Sequence, residues 1–151
     1  MKLKKMLGAV AAIAISALAL TGCAPADSGS GDIKIGATFP VLDAFLQKVA
    51  DGMTAEAEAQ GASIDIVAAD NKVDTQLSQV ENFIAQGVDA ILVVAVDTSA
   101  AGPMTAAAQE AGIPLVYVNR KPADLPSGVP YVGSQSLVSG TLEMEQLATL
   151  A

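Results

Sequence analysis

The 151-residue sequence predicts an α/β fold, an open, doubly wound parallel sheet built from Rossmann-like βα repeats. Three observations predict it. The segments "EAEAQGASIDIVAAD", "FIAQGVDAILVVAVD" and "AQEAGIPLVYVNR" superpose as a helix-favouring run, a glycine, an apolar strand and a polar end. Their glycines, Gly61, Gly87 and Gly112, are 26 and 25 residues apart, the length of one helix, one strand and two short loops. Each stands where the residue after a helix takes a positive φ. The stretch "AILVVAV" is apolar throughout, as a parallel strand covered on both faces should be. A content of 52% hydrophobic and 3% aromatic residues fits one domain packed with aliphatic side chains.

The chain opens with Lys2, Lys4 and Lys5 and continues with the uncharged run "MLGAVAAIAISALAL", the pattern of a secretory signal over residues 1–22. The run ends in "LTGC", which looks like the lipobox of bacterial lipoproteins, and the only cysteine of the chain, Cys23, lies at the lipidated position. A lone cysteine has no intrachain disulfide partner. Residues 23–32, with "APADSGSGD", then read as a flexible tether. The expected product is exported and anchored by lipid to the cell membrane, on its outer face or in the periplasm.

The domain proper begins near Ile33. Strands are expected near 33–38, 63–69, 90–96 and 115–119, and helices near 44–60, 73–86 and 101–111. In the first helix Phe45, Val49 and Met53 are spaced four apart. In the second, Leu77, Val80, Phe83 and Ile84 share a face, Asp74 suits the N-cap, and Gln76, Gln79, Glu81 and Gln86 fall elsewhere.

Every strand ends in polar residues, and parallel sheets collect ligands in the crevice beyond the carboxyl ends of their strands. "FPVLDAF" follows the first strand, Asp70 and Asn71 the second, Asp97 and Thr98 the third, and Asn119 and Arg120 the fourth. Pro122 stops the fourth from continuing. Carboxylates, amides, a guanidinium and an aromatic ring make a polar mouth suited to a hydroxyl-rich ligand. Two readings stand for Asp43 and Phe45: N-cap and first core residue of a helix, or ligand contacts. Asp70 and Asp97 read as caps and turn formers, and Lys121 as solvated surface.

The chain has no histidine, which removes the usual acid/base side chain near neutral pH and the imidazole-dependent serine triads and zinc sites. It has no GxSxG, GxGxxG or phosphate loop, so neither an enzyme nor a cofactor or metal is expected. Beyond the leader, five basic residues face sixteen acidic ones, a net charge of −11 that argues against nucleic acid.

The pieces "IKIGATFPVLDAFLQKVADGM", "DNKVDTQLSQVENFIAQGVDAILVVAVDTSAAGP", "AAQEAGIPLVYVNRKP" and "YVGSQSLVSGTLEMEQLA" cover nearly everything after Asp32. Together they resemble the periplasmic sugar-binding proteins of the ribose- and galactose-binding type, the receptors of ABC importers. The resemblance implies the type I periplasmic-binding-protein fold, in which two α/β lobes close on a sugar. Residues 33–134 would be the N-terminal sugar-binding lobe, and 135–151 the hinge exit and first helix of a truncated second lobe. It implies that Asp43 meets sugar hydroxyls, Phe45 covers a sugar face, and Asn119 and Arg120 hydrogen-bond the ligand. Where the family's pattern reads "LDNPFF", this chain reads "LDAFLQ", with a single Phe that comes one residue sooner after the Asp. The implied function is capture of a monosaccharide or related polyol, as a monomeric partner of an ABC permease. The alternative is a sugar or autoinducer receptor that presents its ligand to a membrane sensor.

Overall fold

The structure, a computed structural model, describes residues 33–150. The proposed leader, Cys23 and the tether lie outside the described residues. Five strands, β1 (Lys34–Phe39), β2 (Ser63–Ala68), β3 (Ala90–Val93), β4 (Leu115–Val118) and β5 (Tyr131–Val132), form one sheet in the order β2-β1-β3-β4-β5. All pairings are parallel. Helices α1 (Ala44–Ala59), α2 (Val73–Gln86) and α3 (Gly102–Glu110) connect the first four strands. A short 3₁₀ turn at Thr98–Ala100 precedes α3, and α4 (Ser136–Leu150) follows β5. The expected doubly wound parallel sheet is the one observed. The winding reverses between β1 and β3, which makes the crevice outside their carboxyl ends the switch point of the sheet.

Period-two alternation sorts the strand residues onto two cores. On one face Val80 and Phe83 of α2 and Met104 and Ala108 of α3 cover Ile91, Val93, Leu115 and Tyr117. On the other, Leu46 and Ala50 of α1 pack with Ala37, Phe39 and Val94. Gly61, Gly87 and Gly112 have φ of 71°, 69° and 70°, the left-handed conformation their repeat spacing predicts. Gly36 serves a different need: a Cβ there would lie 2.5 Å from the Phe83 ring, so the missing side chain lets α2 sit down on β1.

Three local expectations are corrected. Phe45 is 64% exposed and does not belong to the inward stripe of α1, which runs through Leu46, Ala50 and Ala57. It lies in the first turn, about 100° round the helix from Leu46, which is the residue of that turn that meets the core. Asp74 is not the N-cap of α2: the cap position is Lys72, without a side-chain cap bond, and Asp74 stands in the first turn, where its charge complements the helix dipole. Gln76, expected off the apolar face, is fully buried: it stands four residues before Val80 and seven before Phe83, which puts it on that face. Helix ends and the other strand bounds fall within about two residues of expectation. The exception is β3, which ends at Val93 rather than 96 because side chains replace the ladder there, as described below.

Tyr117 is fully buried, donates to the Ala101 carbonyl at 3.0 Å and shares a 2.8 Å hydrogen bond with the Thr105 hydroxyl. Burial raises its phenol above the ordinary 10.0, and the Thr105 bond opposes this only in part. A raised folded-state value means that the unfolded chain loses its proton first. Stability should therefore hold up to about pH 10 and fall above it. Urea unfolding between pH 8 and pH 11 is expected to show this decline in the wild type and a flatter profile in Tyr117→Phe. An equally steep decline in both would place the titration elsewhere.

α4 differs from the other helices, since none of its side chains is buried. Leu137 is 84% and Leu150 82% exposed, and Val138, Leu142, Met144 and Leu147 are also exposed. Among the described residues no helix is long and apolar enough to cross a membrane.

Candidate functional site

The carboxyl edge of the sheet is shaped by how each strand is stopped. After β1 the chain passes Pro40 to Asp43, whose Oδ1 accepts from the backbone N–H groups of Phe45 at 3.0 Å and Leu46 at 2.8 Å. Asp43 thus caps α1, as one of its two readings holds, and both bonds fall on a single oxygen. Next to it the exposed Phe45 ring presents an aromatic surface beside the mouth. After β2, Asp70 and Asn71 take φ of 51° and 57°, and Lys72 N–H closes the turn onto the Ala69 carbonyl at 2.9 Å. Two consecutive positive φ values suit Asp and Asn among the non-glycine residues, so the turn-forming reading of Asp70 is realised.

After β3, Asp97 caps the 3₁₀ turn by accepting from the Ser99 hydroxyl at 2.7 Å and the Ser99 N–H at 2.8 Å. These bonds hold its carboxyl below the usual carboxylate range. Asp97 is a cap, as expected.

After β4, Asn119 has φ 64°, and the Arg120 N–H reaches back to the Val118 carbonyl at 2.6 Å. Asparagine tolerates this left-handed conformation better than most residues, which gives Asn119 a backbone role independent of any ligand. Its N–H is held by Val132 O at 2.8 Å and its carbonyl by the Tyr131 hydroxyl at 3.0 Å. Arg120 turns toward β3, where Nη1 donates to the carbonyls of Ala95 at 3.1 Å and Val96 at 3.3 Å. Nη2 and Nε make no hydrogen bond among the described residues, so three of the five guanidinium donors remain for other partners. Lys121 is exposed.

All four expected ligand residues therefore lie at one edge of the sheet, in two pairs. Asp43 and Phe45 follow β1, Asn119 and Arg120 follow β4, and β3 runs between them. Two strand spacings put the pairs roughly 10 Å apart. A cavity of about 530 Å³ at the β4–β5 corner is lined by Asn119, Lys121, Tyr131 and the segment 133–136, without Asp43, Phe45 or Arg120.

Two polar residues of the second helix, Gln76 and Gln79, bond the strands beneath the mouth. Gln76 Nε2 donates to Val94 O at 3.0 Å and Thr38 Oγ1 at 3.3 Å, and its Oε1 accepts from Val96 N–H at 2.8 Å. Gln79 accepts from the Thr38 hydroxyl at 2.6 Å and donates to Ala68 O at 2.9 Å. The two amides tie α2 to the ends of β1, β2 and β3. Their i, i+3 spacing in "QLSQ" puts them on one face, and this is the only sequence signal of the role. Among the described residues no group of three or more His, Cys, Asp or Glu is placed to hold a metal.

A family profile described as a periplasmic binding protein domain matches residues 35–151. The xylitol-binding protein of Mycolicibacterium smegmatis is 35% identical over 150 residues, which cover 98% of this chain and 43% of that protein. The ribose import binding protein of Bacillus subtilis is 32% identical over 118 residues, 72% of this chain and 39% of that protein. The solved structure of an ABC transporter solute binding protein from Bacillus halodurans, with bound myo-inositol, is 38% identical with a TM-score of 0.73, covering 82% of this chain and 43% of its own. The chain spans less than half the length of these relatives. Profile, sequence similarity and fold agree that this chain belongs to the periplasmic binding protein domain family.

Proposed function

We propose that the chain is the N-terminal lobe of an extracytoplasmic solute-binding lipoprotein that captures a monosaccharide or related polyol for an ABC importer. The observation that carries this reading is the mouth itself. An exposed aromatic ring and a guanidinium with three open donors flank the switch point of a parallel sheet, and both follow strands that end there. Phe45 supplies an apolar face for a sugar ring, Arg120 and Asn119 supply donors and an acceptor for hydroxyls, and the second oxygen of Asp43 supplies a further acceptor. The names of the relatives, which bind xylitol, ribose or myo-inositol, point to the same ligand class. Binding by such groups needs no acid/base residue, consistent with a chain that has no histidine.

In this reading residues 33–134 are the lobe and 135–151 begin the passage to a second lobe that covers the other side of the ligand. Joined to a matching second lobe, the protein is expected to give a saturable calorimetric titration with at least one pentose, hexose or sugar alcohol. A folded protein silent across that panel would refute the reading.

The membrane attachment rests on "LTGC" and on Cys23 being the sole cysteine. Cys23→Ala should release the protein from the membrane fraction and abolish labelling by a fatty-acid analogue, because the tether carries no other anchor. Label retained in the alanine variant would rule out Cys23 as the lipid site.

A further inference from the structure

The exit of β3, residues 94–96, keeps the Val94 N–H bond to the Thr38 carbonyl at 2.9 Å and is then held by side chains from two directions. Gln76 reaches it from α2, bonding the Val94 carbonyl and the Val96 N–H. Arg120 reaches it from the end of β4, bonding the Ala95 and Val96 carbonyls. The Ala95 carbonyl and the Val96 N–H belong to one peptide unit, which is planar, with the two groups pointing in opposite directions. Gln76 and Arg120 therefore grip opposite ends of the same rigid plate. Val94 and Ala95 are buried, and Gln76 itself is fully buried, so water does not readily replace either grip. Each bond also polarises the peptide in the sense that strengthens the other.

We propose that Gln76 is a positioning residue for Arg120: by fixing the 95–96 peptide plane it sets where the Ala95 carbonyl that holds Nη1 lies, and so where Nη2 and Nε point. The guanidinium is in this way aimed by a side chain buried beneath the mouth. Its consequence for affinity rests on the ligand-binding reading above, whereas the coupling between the two side chains does not.

The test uses Gln76→Met, which keeps the volume of the side chain and removes its hydrogen bonds. In the 151-residue chain, NMR of the Arg120 guanidinium should show restricted Nη groups in the wild type and rotationally averaged ones in the variant, with faster exchange of the Val96 amide. Gln79→Met loses bonds to Thr38 and Ala68 but none to β3, and should leave the Arg120 signals unchanged. If Gln76→Met does not fold, Gln76→Asn keeps an amide but shortens its reach by one methylene, and the same averaging is expected. In the two-lobed protein, Gln76→Met should weaken sugar binding by about tenfold. In an Arg120→Ala background its effect should shrink to less than about twofold, because the group it aims is gone.

Unchanged Arg120 signals in folded Gln76 variants would overturn the proposal, as would an equal loss of affinity in both Arg120 backgrounds. A wild-type two-lobed protein that binds no sugar would instead overturn the functional reading, and the NMR comparison would still decide the coupling.

Discussion

Phe83→Ala is expected to destabilise the fold by about 3–5 kcal/mol, the usual cost of deleting a buried phenylalanine. Phe83 is 2% exposed and packs in the core that joins α2, α3 and the sheet. Its ring lies directly over Gly36, so the reciprocal change, Gly36→Ala, should cost about 1–3 kcal/mol by overpacking. The two losses should not add. In Gly36→Ala/Phe83→Ala the new methyl enters the space the ring has left, and the double variant should be more stable than the sum predicts. Chemical denaturation of the four proteins provides the cycle, and strict additivity would mean that the close approach is relieved by a shift of α2 instead.

The second large effect concerns the ligand. In a two-lobed protein, Arg120→Ala should weaken sugar binding by about 1–3 kcal/mol, or about 5- to 150-fold, by removing donors from a desolvated mouth. Arg120→Lys should recover only part of this loss, because a point charge cannot hold two carbonyls and address a ligand together. Asn119 needs a more careful comparison, since alanine at φ 64° adds backbone strain to the loss of the amide. Asn119→Gly relieves the strain and still removes the amide, so weak binding in both variants would assign the side chain to the ligand. Lys121→Ala should leave affinity unchanged. Calorimetry that finds Arg120→Ala as tight as wild type would reduce Arg120 to a clamp on the end of β3.

Much of this architecture is legible in the sequence because backbone geometry leaves a direct trace in residue choice. The three repeat glycines mark helix ends because they take positive φ there, and Asp70 with Asn71 marks a turn for the same reason. The strands are legible as Ile- and Val-rich runs between those marks. Side-chain orientation at the carboxyl edge is not legible in this way. An apolar period of four leaves Phe45 open between core and mouth, and it does not show that Leu46 is the residue of that turn that meets the core. Gln76 shares the face of Val80 and Phe83, but its polarity alone sets it apart, because polar residues are taken as exposed unless a partner is known. Its partners are the backbone of Val94 and Val96, 18 and 20 residues away, and the Thr38 hydroxyl, 38 residues away. The length of β3 fails from the same cause, since "VVAV" is apolar to its end while its hydrogen bonds pass from strand neighbours to Gln76 and Arg120.

The contact between Gly36 and Phe83 has a meaning beyond its energy. In a sheet with one wet face, alternating polarity tells a strand how to align, and a slip of one residue is punished by burying charge. β1 and β3 are covered on both sides, and β3 is apolar throughout, so the polarity of β3 alone would tolerate a misaligned pairing. Shape supplies the missing check. A one-residue slip of β1 would bring Ile35 or Ala37 under the Phe83 ring, where even the methyl of an alanine has no room. One absent side chain thus acts as a proofreading notch that admits β1 in a single alignment.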